Sequence, residues 1–299
     1  MKIAYHPCYA HTLPAGHRFP MEKYELIPQQ LLHEGLVNQD DFFAPAPVSM
    51  DDVLRVHSSD YVQKLLQLQL TPREQRVIGF PQSEALVERE WVITQGTISC
   101  TQFALQQGVA MNVAGGTHHA FTDRGEGFCL LNDIAVAAAA LLHQYPNWKI
   151  LVVDLDVHQG NGTAEIFAGS QQVFTFSMHG RHNYPFKKEQ SFLDVPLEDG
   201  TTTAQYLQLL ETYLPRLIAD IRPNFIYYLS GVDILDTDKF GKLKVSLQGC
   251  WERDKYVFTT CKQHNIPVAV SMGGGYSPSV ATIVNAHINT FKAALNTWF

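Results

Sequence analysis

The run Lys149-Ile-Leu-Val-Val-Asp-Leu-Asp-Val-His158-Gln-Gly-Asn-Gly162 changes abruptly from apolar to charged. Its first half, through Val153, is typical of a strand that is buried on both faces of a parallel sheet. The second half places Asp154, Asp156 and His158 at alternate positions, so in an extended chain they point to one face. Acidic residues after a strand often only cap loops and helices. Two carboxylates crowded beside an imidazole would repel each other and lose hydration, and a divalent cation would offset both costs. The pattern therefore favours a metal site.

Three other apolar runs end in the same way, with glycine followed by a reactive side chain. They are Gly108–Val113 before His118 and His119, Asn224–Leu229 before Asp233, and Ile266–Val270 before Tyr276. In open α/β sheets the functional site lies beyond the carboxyl ends of the strands. Strands alternate with helical segments along the chain, so we predict a single α/β domain with a parallel sheet over residues 1–299.

The composition argues against several classes of protein. The formal net charge of −7 argues against a nucleic-acid partner. Neither a signal peptide nor an apolar run of membrane-spanning length is apparent, and we expect no membrane association. The five cysteines are widely spaced and form no C-x-x-C pair, which predicts reduced thiols and a cytoplasmic protein.

Local patterns predict loops and a helix start near the site. Residues 71–83 and 179–203 are polar and contain prolines, and we predict a loop for each. Ser277 and Pro278 form an N-cap and N1 pair that would start the last helix. Histidines on the helices, including His287, are expected to face solvent.

Five motifs, in order, resemble those of the histone deacetylase superfamily. They are Gly115-Gly-Thr-His-His-Ala120, Gly127-Phe-Cys-Leu-Leu-Asn-Asp133, Asp154-Leu-Asp-Val-His-Gln-Gly-Asn-Gly162, Ser230-Gly-Val-Asp233 and Gly273-Gly-Gly-Tyr276. Three stretches look most like the class IV branch: His158-Gln-Gly-Asn161-Gly, Arg181-His-Asn-Tyr-Pro185 and Asp238-Lys-Phe-Gly241. The resemblance spans His57 to Ser279. It implies the arginase/deacetylase fold, an eight-stranded and mainly parallel sheet sandwiched between helices.

The resemblance implies a metal-dependent deacetylase. Asp156, His158 and Asp233 match its three metal ligands, and three ligands leave a position open for water and substrate. Zn²⁺ is the default ion, although two oxygen ligands also suit Fe²⁺. His119 matches the general base, which takes a proton from water and passes it to the leaving amine. Tyr276 matches the hydroxyl that stabilises the tetrahedral oxyanion.

Three further positions match residues that support catalysis. His118 matches the orienting neighbour of the general base, and Asp154 matches the buried carboxylate that orients His118. Asn161 matches the partner of His119. Some branches carry aspartate in place of Asn161, so we expect His119 to be less basic here than in those branches.

The resemblance also implies a tunnel for the substrate. Gly127 and Gly274 match substrate-binding positions, Phe128 matches one wall of the tunnel, and Tyr184 is expected to form the opposite wall. Arg18 matches an arginine that lines a channel for the release of acetate. Structural K⁺ or Na⁺ ions would be bound by two sets of residues: Asp154, Asp156, His158, Ser177 and Met178, and Phe167, Ser170 and Val173.

The implied reaction is the removal of acetyl or long-chain fatty acyl groups from the N-ε atom of lysine in proteins and peptides. An acetylpolyamine deacetylase, acting on a small acylated amine, would share every catalytic residue and stays open. A non-catalytic acyl-lysine binding protein would be free to lose Tyr276 or either active-site histidine, and none of these is lost. A binuclear ureohydrolase shares the fold but needs a further carboxylate where this chain has Gly160.

Overall fold

Eight parallel strands form the central sheet of the structure, a computed structural model that describes residues 1–299. The strands are β1 (Lys2–Ala4), β2 (Phe42–Phe43), β3 (Val109–Asn112), β4 (Ile150–Asp154), β5 (Val173–Gly180), β6 (Leu193–Leu197), β7 (Phe225–Leu229) and β8 (Val268–Ser271). Their order across the sheet is β2-β1-β3-β8-β7-β4-β5-β6, and every pairing is parallel. The predicted fold class is confirmed.

Ten α-helices connect and cover these strands. They are α1 (Lys23–His33), α2 (Met50–Leu54), α3 (Ser59–Leu66), α4 (Pro72–Ile78), α5 (Glu84–Gln107), α6 (Asp133–Gln144), α7 (Asn161–Ile166), α8 (Thr203–Ile221), α9 (Leu247–Gln263) and α10 (Val280–Trp298). None of them combines the length and the apolarity that crossing a membrane requires.

The apolar run of β4 is continuous because both of its faces are covered. Leu151 and Val153 pack into a core that includes residues of α1, α8, α9 and α10. Ile150 and Val152 point to the opposite face and pack with residues of α5 and α6. Successive residues of a strand point to opposite faces, so a strand covered on both sides needs an apolar residue at every position.

The four strands whose ends carry reactive residues are neighbours at the centre of the sheet, in the order β3-β8-β7-β4. Because the strands are parallel, their carboxyl ends meet at one edge. The loops that follow them carry His118 and His119 after β3, Tyr276 after β8, Asp233 after β7, and Asp156 and His158 after β4.

Two segments predicted to be loops contain regular structure. Residues 71–83 contain α4, in which Thr71 accepts a hydrogen bond from the Glu74 amide and the Glu74 carboxylate accepts one from the Thr71 amide. Pro72 occupies the first turn, where a missing N–H costs nothing. Residues 179–203 contain β6, which pairs with β5 at the sheet edge and tolerates Pro196 there.

Two predictions for the C-terminal helix are also wrong. Helix α10 begins at Val280 and is capped by Ser279, whose hydroxyl accepts a hydrogen bond from the Thr282 amide. Ser277 and Pro278 lie before it. His287 is completely buried, because the side of α10 that carries it faces the sheet and α9 rather than solvent.

Candidate active site

Asp156, His158 and Asp233 converge beyond the ends of β4 and β7. One potential ligand atom from each lies within 4.8 Å of the others. His158 Nδ1 lies 3.0 Å from Asp156 Oδ1 and 3.2 Å from Asp233 Oδ2. The relative exposures are 1%, 9% and 0%, respectively, so the three side chains are almost entirely removed from solvent.

The electrostatics of this cluster fit a divalent cation. Burial and the nearby Asp156 carboxylate raise the pKa of Asp233 to about 7, because two buried negative charges repel each other. Burial alone would lower the pKa of His158, but its hydrogen bonds to Asp156 and Asp233 raise it to about 10. The cluster therefore stabilises positive charge strongly. Two carboxylates and one imidazole are also a donor set that Zn²⁺ and Fe²⁺ accept.

Two glycines leave the space that this cluster needs. A side chain at Gly160 would overlap the Asp154 carboxylate, so no carboxylate for a second metal ion fits at that position. Gly274 donates its backbone N–H to Asp156 Oδ2 at 2.7 Å, and a side chain there would overlap Asp233. The geometry favours a single ion.

His118 and His119 follow β3 and have different partners. His118 Nδ1 lies 2.7 Å from Asp154 Oδ2, and His119 Nδ1 lies 2.6 Å from the amide oxygen of Asn161. The two imidazole rings are 4.1 Å apart, and both are buried. In each residue the Nδ1–H donates to an oxygen, so Nε2 is the ring nitrogen that stays available to other groups.

The pKa values of the two histidines are shifted in opposite directions. Burial disfavours the charged form of His118, but the charge and hydrogen bond of Asp154 outweigh it and raise its pKa. Burial and the charges of His118 and His158 lower the pKa of His119 well below its usual value, and the hydrogen bond to Asn161 opposes this only weakly. The surroundings therefore favour the protonated form of His118 and the neutral form of His119.

Tyr276 is held over the cluster by Asp238. The carboxylate of Asp238 accepts the backbone N–H of Tyr276 at 2.6 Å and those of Phe240 and Gly241 at 2.8 Å. The Tyr276 ring lies 6.4 Å from the His158 ring. In the sequence, Asp238–Gly241 resembles one branch of the superfamily, but the pattern does not indicate that Asp238 holds the tyrosine loop in place.

An open pocket leads from the surface to this cluster. Its volume is about 400 Å³, and its lining includes Phe128, Tyr184 and Tyr276. The Tyr184 hydroxyl donates to Glu126 Oε2 at 2.7 Å, which fixes the ring 4.9 Å from that of His119. Beneath the open pocket lies an interior cavity of about 40 Å³. Five residues line both spaces: His119, Gly127, Phe128, His158 and Tyr276.

Arg18, which the resemblance assigns to an exit channel, lies at the mouth of the outer pocket. Its guanidinium lies 5.1 Å from the centre of the Phe128 ring and 5.4 Å from that of Phe240, and it lines the outer pocket. The arginine that lines the interior cavity is Arg89, on α5. Arg18 packs on two aromatic rings at the mouth and does not line the interior cavity.

The residues predicted to bind monovalent cations fall in two places. Ser177 on β5 is the register partner of Asp154, and Met178 follows it in the same strand. Phe167, Ser170 and Val173 lie together between α7 and β5; there Ser170 donates its backbone N–H to the Phe167 carbonyl and accepts the Val173 N–H at its hydroxyl.

Two buried charged residues on helices bind backbone carbonyls of the loops that form the site. The sequence alone does not single them out. Arg253, on α9, is completely buried and donates to the carbonyl oxygens of Leu155, the residue before Asp156, and of Gly231, two residues before Asp233. Lys23, on α1, is also buried and donates to the Gly273 carbonyl at 3.1 Å. The available sequence signal is a charged residue on an otherwise apolar helix face, which indicates a buried and paired charge.

Asp133 has a comparable bracing role. Its carboxylate accepts hydrogen bonds from the Thr117 amide and hydroxyl and from the Ser271 hydroxyl, at 2.7 to 2.9 Å. It therefore ties the loop that carries His118 to the end of β8.

The sheet and the residues gathered at its carboxyl edge define a hydrolase of the arginase/deacetylase fold. The chain belongs to the histone deacetylase family: the histone deacetylase domain matches residues 17–291. It is 41% identical over 292 residues to an uncharacterized protein of Picosynechococcus sp., covering 98% of this chain and 97% of that protein. It is 31% identical over 279 residues to histone deacetylase 2 of Arabidopsis thaliana, covering 90% of this chain and 72% of that protein.

The fold is also that of a solved relative. The crystal structure of a histone deacetylase homologue from Aquifex aeolicus superposes with a TM-score of 0.85 at 24% identity, covering 98% of this chain and 83% of the other.

Proposed function

We propose that this protein is a metal-dependent hydrolase that removes acetyl groups from the N-ε atom of lysine in proteins or peptides. The observation that carries the proposal is that the cluster Asp156, His158 and Asp233 lies where a wide outer pocket narrows into a small interior cavity. His119 and Tyr276 line both spaces, so both face the position that an acyl carbonyl would occupy.

Asp156, His158 and Asp233 would hold one divalent ion, for which we propose Zn²⁺ with Fe²⁺ as the alternative. When bound, the ion supplies Lewis acidity that lowers the pKa of water and polarises a carbonyl. His119 would then accept a proton at Nε2 and deliver it to the departing amine. Its lowered pKa keeps it neutral, and so able to accept that proton, at pH 7.

The remaining catalytic groups would act through charge and hydrogen bonding. His118, whose protonated form Asp154 favours, would place positive charge beside the developing negative charge. The Tyr276 hydroxyl would donate to the oxyanion of the tetrahedral intermediate. Burial raises the pKa of Tyr276 well above its usual value, so the hydroxyl keeps the proton that it needs to donate.

The interior cavity favours a short acyl group. Its volume of about 40 Å³ is about one tenth of the 400 Å³ of the outer pocket. A methyl group fits such a space, whereas an octanoyl or myristoyl chain would require the walls to move. We therefore propose acetyl-lysine over long-chain acyl-lysine. Small acylated amines remain the alternative substrate, and class IV remains the proposed branch.

Two accompanying proposals follow from the same residues. Structural K⁺ or Na⁺ would be bound near Ser177 and near Ser170, where the matching residues are grouped. A cytoplasmic location is supported by the cysteines, which are all free thiols.

A kinetic panel tests the proposal. Peptides carrying acetyl-, octanoyl- and myristoyl-lysine are compared with acetylated polyamines by kcat/KM, with one Zn²⁺ supplied per chain. We expect the acetyl-lysine peptide to be the best substrate. A higher kcat/KM for polyamines would overturn the lysine assignment, and binding of acyl-lysine peptides without turnover would favour a non-catalytic binding protein.

A further inference from the structure

The rim of the outer pocket, which forms the mouth of the tunnel, is basic in a protein that is acidic overall. The chain has 22 Lys and Arg residues against 29 Asp and Glu residues. Among the 14 residues that line the outer pocket, however, Arg18, Lys239 and Lys242 are cations and none is an acid. His182 lies on the same rim.

Arg18 is the most strongly fixed of these cations. Its guanidinium lies against the rings of Phe128 and Phe240, at 5.1 Å and 5.4 Å. Stacking on aromatic rings restricts the side chain without using its N–H donors. Arg18 is exposed and forms neither an ion pair nor a side-chain hydrogen bond in the structure, so its donors are free to bind a ligand.

The acids near the mouth, including Asp238, bind groups other than Arg18. Asp199 lies 3.2 Å from His182 and 3.7 Å from Lys242, and it therefore compensates the far side of the rim. Glu126 accepts from Tyr184 and pairs with Arg124. Lys239, like Arg18, has no ion-pair partner.

We infer that the tunnel mouth selects acetyl-lysine substrates that carry a carboxylate close to the acetylated residue, and that Arg18 is the residue that recognises this carboxylate. The inference rests on the proposed function and narrows it. A planar guanidinium with free donors can bind a carboxylate through two parallel hydrogen bonds. The same rim repels cations, so acetylated polyamines and lysine-rich peptides would be poor substrates.

Three peptides of one length test this, with acetyl-lysine flanked on both sides by Glu, by Gln or by Lys. For the wild-type protein we expect kcat/KM to be about three- to tenfold higher with Glu than with Gln, and lowest with Lys. Raising the ionic strength should reduce this preference, because exposed charges are screened.

Variants assign the preference to Arg18. Arg18→Gln should abolish most of the Glu-over-Gln ratio, and Arg18→Lys should retain part of it. Lys239→Gln should reduce the ratio by a smaller factor. Arg216→Gln, which removes an exposed cation on α8 that does not line the pocket, is the matched control and should leave the ratio unchanged. Because Arg18 packs on Phe128, its replacement can lower all three rates together, so the ratio between peptides is the readout.

The outcomes separate the inference from the proposed function. Turnover of all three peptides at equal kcat/KM, or a preference for Lys, would contradict the inference and leave the deacetylase assignment standing. An unchanged ratio in Arg18→Gln would contradict the role of Arg18. Absence of turnover with every peptide would overturn the proposed function, and the inference with it.

Discussion

His119 Nδ1 lies 2.6 Å from the amide oxygen of Asn161, whereas the neighbouring His118 has a carboxylate partner at a similar distance. Asn161 orients the His119 ring as an aspartate would, but it adds no negative charge. The Asn161 amide nitrogen faces Glu126 Oε2 at 3.5 Å, which is consistent with the amide oxygen facing His119. One side chain therefore fixes the general-base candidate in place and leaves it neutral.

Replacing Asn161 by Asp should move the acid limb of the pH–rate profile. A carboxylate at this position stabilises the imidazolium of His119 and raises its pKa. Since the base acts in its neutral form, activity would be lost at a higher pH, and the acid limb of kcat/KM should move up by about one pH unit.

The matched control for this variant is Asn285→Asp, which adds the same charge on the exposed side of α10. Its profile should coincide with that of the wild type. An acid limb that stays in place, or moves to lower pH, in Asn161→Asp would show that His119 does not control the limb.

Replacing Tyr276 by Phe should remove a single oxyanion donor. We expect kcat to fall on the order of 10²–10³-fold with unchanged metal content, because the ring packing on Phe240 and Phe128 is kept. Tyr145→Phe removes a hydroxyl from a partly exposed tyrosine stacked on Trp148 and should have no effect. Near-normal turnover of Tyr276→Phe would exclude this hydroxyl from the reaction.

His57 should make the fold sensitive to acid. Its Nδ1–H donates to the Phe121 carbonyl at 2.9 Å and its Nε2 accepts the Asn132 N–H at 3.0 Å, so both ring nitrogens are committed to the neutral form. Burial lowers its pKa from 6.5 to about 4. The unfolded chain therefore binds a proton below pH 6.5 that the folded chain does not accept until about pH 4. The stability that this represents is present above pH 6.5 and is lost as the pH falls toward 4.

Denaturant unfolding at several pH values measures the contribution of His57 to the free energy of unfolding. His57→Gln should be less stable than the wild type at pH 7, because two buried hydrogen bonds are disturbed. Its free energy of unfolding should fall less steeply between pH 6 and 4.5, by up to ~1.4 kcal/mol per pH unit. The exposed His264→Gln should follow the wild-type curve. Equal slopes for His57→Gln and the wild type would mean that His57 titrates normally in the folded protein.

The core of the site could be predicted because its residues stand at the ends of apolar strands. The apolar run Ile150–Val153 indicates a strand that is buried on both faces. Asp154, Asp156 and His158 follow at alternate positions, which point to one face of an extended chain. Parallel pairing then brings the four strand ends together without any information about side-chain contacts.

The parts that could not be predicted depend on contacts between distant segments. Arg253 and Asp254 form a buried pair on α9, and in the sequence they look like any charged helix surface. Strand β6 exists because β5 offers it an edge, and its Pro196 and Asp194 give no strand signal. The position of Arg18 at the mouth depends on two aromatic rings that lie far away in the sequence.

The central claim is that one ion held by Asp156, His158 and Asp233 supports the hydrolysis of acetyl-lysine. The most direct measurement is the rate of acetate release from an acetyl-lysine peptide while Zn²⁺ is titrated into metal-free protein, with bound metal determined on the same samples. We predict that the rate rises with occupancy and saturates at about one ion per chain, and that Asp233→Ala binds little metal and releases no acetate, whereas the exposed control Asp236→Ala behaves as the wild type. Saturation at two ions per chain, or full activity in the metal-free protein, would contradict the account.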